Sequence, residues 1–143
     1  MLCTVQTVLI FIAIPVVAIP LLILLFRRQI AQLRDEITRS GETVLIGPDI
    51  GFYQGSNTLI SLKTQGVIAL TDRRIVFRKP IGADIEIPFT QITKVSENDW
   101  FRGNYRAGKK FLILKLADGL EIGFMAKDHN RWIKEITTRI FST

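Results

Sequence analysis

Residues 5–26 read VQTVLIFIAIPVVAIPLLILLF, with no charged side chain and only Gln6 and Thr7 as polar residues, and Arg27 and Arg28 follow at once. A helix needs roughly 20 apolar residues to cross a hydrocarbon core about 30 Å thick. The run therefore predicts a transmembrane helix, and everything after it is tethered. A cleaved export signal would carry a basic n-region, a shorter apolar stretch and a small-residue cleavage site. Residues 1–4 have no basic side chain, and Leu24, Leu25 and Phe26 are bulky, so the segment reads as a retained anchor. Pro15 and Pro20 each remove a helix hydrogen bond, which spanning helices tolerate. Arg27, Arg28, Arg34 and Arg39 crowd the C-terminal end of the span, and positive charge beside a span is retained in the cytoplasm. The expected topology is a single pass through the inner or plasma membrane, N-terminus outside and C-terminal domain cytoplasmic, with Arg27 and Arg28 as membrane-interface anchors.

The chain then divides into a short N-terminal end (1–4), the transmembrane helix (5–26), a juxtamembrane helical linker (27–41) and one domain (42–143). In the linker, Ile30, Leu33 and Ile37 stand at i, i+3 and i+7, and Gly41 is placed where a helix would stop. At 1.5 Å per residue this extends the span by about 20 Å. The remaining chain is enough for one small domain and not two. The whole formal charge of +6 falls on the residues from Arg27 onward, linker and domain together. Such a domain is attracted to an anionic leaflet, each nearby Lys or Arg contributing about 1 kcal/mol. Nucleic acid would attract it too, but membrane attachment argues against that partner. Cys3 is the lone cysteine, so an intramolecular disulfide and a cysteine metal cluster are both excluded.

From residue 42 onward the periodicity becomes that of strands. Residues 66–71 (GVIALT) and 74–79 (RIVFRK) are rich in β-branched and aromatic residues and meet at a tight turn through Asp72. Residues 111–117 and 120–124 flank Asp118 and Gly119, a pair that signals a type I′ hairpin. Further strands are expected at 84–89 and 92–98. After Asp128, a candidate helix N-cap, Trp132, Ile133, Ile136 and Ile140 return to helical spacing, with Glu135 and Arg139 as an outer i,i+4 pair.

The order GVIALTDRRIVFRKP, IEIPFTQITKV, FLILKLADGLEIGF and a closing helix with Trp132 resembles the GRAM and bacterial pleckstrin-homology-like families. Gly66, Leu70, Thr71, Arg74 and Phe77 fit the first element of their pattern, and Ile87, Pro88, Ile92 and Val95 the second. The resemblance covers residues 42–141; residues 56–65 fit less well. It implies a mainly β fold with α: a seven-stranded, two-sheet roll closed by the C-terminal amphipathic helix.

That fold serves lipid binding, peptide binding and scaffolding alike, so function must be read from sites. His129 is the only histidine, and no carboxylate pair is singled out for acid–base work. Asp72, Asp118 and Asp128 sit at turns and a cap. Residues 103–109 (GNYRAGK) mimic a phosphate-binding P-loop, but Lys110 stands where Ser or Thr should hold Mg²⁺ and a strand follows instead of a helix. No catalytic residue, metal or cofactor is therefore expected. The same loop sets Trp100, Phe101 and Tyr105 among Arg102, Arg106, Lys109 and Lys110. Aromatics and cations of this kind suit a protein interface or an anionic bilayer surface, the alternative being that Trp100 and Phe101 fold back onto the core beneath the loop. A module already held at the membrane needs no lipid affinity to reach it. The expectation is thus a non-enzymatic protein-interaction module, an accessory or assembly subunit of a membrane complex. The alternative is a lipid-headgroup binding or sensing module.

Overall fold

The architecture comes from a computed structural model, which describes residues 2–58 and 62–142, with side chains from residue 14. The side chain of Cys3 and the centre of segment 56–65 lie outside the described residues. α1 (Leu2–Arg39) is one unbroken helix. From Ile14 it is long and apolar enough to be a candidate membrane span. Consecutive large apolar side chains, from Leu21 to Leu25, are all exposed on it. A helix that is apolar all round suits lipid or a protein core, not water.

At Phe26 the surroundings change. Phe26, Leu33 and Ile37 are buried against Val67, Ala69 and Val76, with Ile30 and Val44 packed beside them. Glu36 adds an ion pair to Arg78 at 2.6 Å. The stretch 27–41, expected as a spacer, is instead docked on the domain. The Ile30, Leu33, Ile37 stripe that marks it as helical is its docking face.

The surface it docks on belongs to a seven-stranded antiparallel sheet. Its strands are β1 (Val44–Ser56), β2 (Thr64–Thr71), β3 (Arg74–Arg78), β4 (Ile85–Pro88), β5 (Ile92–Asn98), β8 (Phe111–Leu116) and β9 (Glu121–Met125). Their order is β4-β3-β2-β1-β9-β8-β5. β6 (Trp100–Phe101) and β7 (Asn104–Tyr105) form a separate two-stranded ribbon, and α2 (His129–Ile140) closes the chain. Where two sheets are expected from the resemblance, hydrogen bonding runs without a break through all seven strands. β1 makes this possible by pairing with both β2 and β9, with register shifts between Val44 and Ile46, Ile46 and Asp49, and Tyr53 and Gly55. Bulges of this kind bend a strand and raise its twist.

Strand parity sorts the side chains. Ile68, Leu70, Ile75 and Phe77 face inward with Ile87, Leu112, Leu114, Ile122 and Phe124. The rings of Tyr53, Phe77 and Phe124 meet there, with centroids 5.5 to 6.0 Å apart. Val67, Ala69 and Val76 alternate with these residues and face α1. β2 is consequently buried on both faces, which is why its sequence is a nearly continuous apolar run. α2 covers the inward face with Trp132, 1% exposed, and Ile136.

Two local expectations are corrected. The β8–β9 turn is not type I′, because Gly119 has φ +85° while Asp118 is not left-handed. The loop spans three residues between Leu116 and Leu120, closed by the Leu116 N–H to Leu120 carbonyl bond of 2.8 Å, with glycine in the left-handed position. Asp128 does occupy the N-cap of α2, but with φ +61° its side chain makes no capping bond. Its carbonyl instead accepts the N–H groups of Arg131 and Trp132.

Candidate interaction site

The aromatic and cationic stretch 99–110 is an ordered ribbon. Arg102 (φ 51°) and Gly103 (φ 76°) both take left-handed conformations, the geometry of a two-residue type I′ turn. The turn fixes the register: Trp100 opposes Tyr105, and Phe101 opposes Asn104. Side chains alternate across a strand, so Trp100 and Tyr105 share one face and Phe101 takes the other.

The outcome separates the three aromatics. Trp100 is 55% and Tyr105 61% exposed, whereas Phe101 is 5% exposed. Phe101 packs with Phe111 and Met125, its ring centroid 6.3 Å from that of Phe111. It also lies across Gly123, where a Cβ would stand 2.5 Å from the ring. Only glycine permits that approach. Phe101 is therefore removed from the contact surface to which the sequence assigns it; it is the clamp that holds the ribbon to the sheet.

The cations also divide. Lys110 is paired with Glu97 at 2.8 Å, and the His129 Nε2 lies 3.1 Å from the same carboxylate. The hydrogen bond from Lys110 holds the Glu97 carboxyl below its usual range despite some desolvation, and Glu97 in return raises the Lys110 ammonium. The guanidinium of Arg102 reaches the Thr58 carbonyl at 3.4 Å. Lys63 donates to the Asn104 side chain, tying the ribbon to the start of β2. Among the described residues no ion pair engages Arg106 or Lys109, and both are exposed. Arg27 and Arg28 are exposed on α1, at the end of its apolar stretch.

The carboxylates near turns serve the backbone. Asp72 accepts the Thr43 N–H at 3.0 Å, and Asp118 accepts the Leu120 N–H at 2.9 Å. Thr71 accepts the N–H groups of Arg73 and Arg74 and donates to Glu42. Arg74 bridges Glu42, at 2.9 Å, and Glu86. Burial alone would raise the Glu42 carboxyl, but hydrogen bonds from Arg74, Thr71 and Ser40 outweigh it and hold the group below its usual range. Residues 103–109 run into the strand β8, so no helix N-terminus receives a phosphate there. Among the described residues no three His, Cys, Asp or Glu side chains are placed to hold a metal ion.

One surface has no counterpart in the sequence reading. Ile50 and Phe52 are exposed on β1 and, with Met125 and Ala126, line a depression of about 400 Å³ edged by Lys109, Lys110 and Lys127. β1 gives little warning of itself, because Gly47, Pro48, Gly51 and Gly55 interrupt its alternation.

No protein-family model matches the chain, and no curated protein matches it. Among solved structures, it is similar to the crystal structure of the C-terminal domain of an unknown protein from Leishmania infantum, with a TM-score of 0.53 and 16% identity over 78% of this chain and 96% of that one. At that identity the likeness shows the fold alone.

Proposed function

We propose that this is a single-pass membrane protein whose GRAM or pleckstrin-homology-like domain is a non-enzymatic association module, an accessory or assembly subunit of a larger membrane complex. The observation that carries the reading is the ribbon: a type I′ turn and the buried Phe101 hold Trp100 and Tyr105 side by side in solvent. Rigid exposed aromatics are the residue type on which protein interfaces concentrate their energy. The strand order, with β1 to β4 on one side, β9, β8 and β5 on the other and α2 over the inward face, supports the family resemblance. The exposed apolar helix supports the anchor, and the arginines after Phe26 support a cytoplasmic domain in the inner or plasma membrane.

Purification in mild detergent followed by mass spectrometry tests the module, with a reporter active only in the cytoplasm, fused after Thr143, testing the orientation. Trp100→Ser with Tyr105→Ser is expected to lose the co-purifying membrane proteins while the melting temperature stays that of the parent. Retention of every partner by the folded variant would make the ribbon passive. A second reading, contact with anionic headgroups, is favoured by Arg106 and Lys109, which are exposed and engaged by no ion pair among the described residues. Under it, Arg106→Glu with Lys109→Glu abolishes binding to anionic vesicles, and the parent's binding is strongly salt-sensitive, because the Debye length is about 8 Å at physiological ionic strength.

A further inference from the structure

α1 and the sheet leave a cleft between them. Leu22, Ile23, Phe26 and Ile30 form its helical wall and Ile50 and Gln65 the wall from the sheet, with Arg27 at the edge and a volume of about 370 Å³. Leu22 and Ile23 belong to the apolar run itself, four residues or so before the first arginine. At 1.5 Å per residue that is about 6 Å inside the boundary that Arg27 marks. With residues 5–26 read as a membrane span, Ile50 stands at the depth of the acyl chains and the cleft faces them.

Ile50 also lines the second depression, the one floored by Phe52 and Met125. That one side chain borders both depressions, so apolar surface leads across it from beside α1 to a cationic edge. At that edge Lys110 is engaged by Glu97, whereas no ion pair engages Lys109 or Lys127 among the described residues, and both are exposed. We propose that this surface is a seat for one anionic phospholipid of the surrounding bilayer: its acyl chains lie against Leu22, Ile23 and Ile50, and its phosphate is held by Lys109 and Lys127.

Water is disfavoured by the apolar walls, and an acyl chain enters from the bilayer without crossing any boundary. The cationic edge then selects by headgroup charge, because two unneutralised ammonium groups beside a low-dielectric surface attract an anion over a zwitterion. The site is distinct from the Trp100 and Tyr105 face and operates whether or not that face binds protein. It rests on reading residues 5–26 as a membrane span.

The test uses the full chain. Retention in the membrane pellet after alkaline carbonate is scored first; release into the supernatant would overturn both the span and the lipid seat. The purified chain is then titrated with phosphatidylglycerol or phosphatidylcholine in detergent and read by native mass spectrometry. One phosphatidylglycerol is expected to bind at least about tenfold more tightly than phosphatidylcholine. Lys109→Glu with Lys127→Glu should remove that preference, and Lys109→Arg with Lys127→Arg should restore it, all three chains melting alike because both positions are exposed. Ile50→Asp should weaken binding of both lipids. Equal affinity for the two lipids in the parent, or a preference that survives charge reversal, overturns the assignment.

Discussion

Leu33→Ala tests whether α1 is part of the domain or only its tether. Leu33 is 1% exposed and packs among Ile37, Val67, Ala69 and Val76. Burying a leucine side chain stabilises by about 1.5–3 kcal/mol, and the cavity left by truncation brings the cost to about 2–5 kcal/mol. For a domain of this size 1 kcal/mol corresponds to about 4 °C in the melting temperature. The full chain in detergent should therefore melt about 8–20 °C lower, followed by near-ultraviolet circular dichroism, which reports the tertiary packing of the aromatics. Arg34→Ala, the next residue and exposed, is the control and should leave the transition within about 2 °C. Undocked helix would also expose the arginines around it, so limited trypsin cleavage after Arg34 and Arg39 should accelerate in Leu33→Ala. A melt indistinguishable from the Arg34→Ala control would mean that the helix contributes nothing to the sheet, and the docked geometry would be refuted.

Trp132→Ala should cost about 3–5 kcal/mol, because Trp132 is enclosed among the inward residues of the sheet; an unchanged melt would place α2 off the core. The Glu42 carboxyl is held below its usual range in the folded state by Arg74, Thr71 and Ser40, so the unfolded chain takes up the proton first. That stabilisation is complete above the ordinary glutamate pKa and is lost as the pH falls through the lowered folded value. Acid melts should show the loss, and Glu42→Gln should flatten that limb of the pH profile; a profile unaltered by the substitution would remove Glu42 from the acid response.

The elements that were legible in the sequence are those whose signals are local. The β2–β3 hairpin pairs Val67 with Arg78 and Leu70 with Ile75, as two apolar runs around an Asp turn require. β5 covers 92–98, and Trp132 with Ile136 forms the buried stripe of α2. What was not legible depends on partners distant in the chain. Phe101 and Trp100 are neighbours of the same chemical type, and only the register set by the Arg102–Gly103 turn sends one inward and the other out. The stripe of Ile30, Leu33 and Ile37 is visible, but what covers it is the outer face of β2 and β3. A strand buried on both faces loses its alternation, so its sequence hides the fact that a second element lies on it.

That double burial has a mechanical consequence. A helix spanning a membrane and then entering a flexible linker leaves its domain free to rotate, and an interaction face on such a domain samples every direction. Here one unbroken helix runs from the candidate span to Arg39, and its last turns are fixed to the sheet by buried leucine and isoleucine and by the Glu36 to Arg78 ion pair. Packed cores transmit displacement because they have little free volume in which to absorb it. The packed contacts run from α1 into β2 and β3, through the ladder to β1 and β9, and from Gly123 on β9 to the Phe101 clamp beneath the ribbon. The angle at which Trp100 and Tyr105 stand to α1 is set by the fold itself, so under the proposed function a partner recognised by that face would meet it in one orientation and not in many.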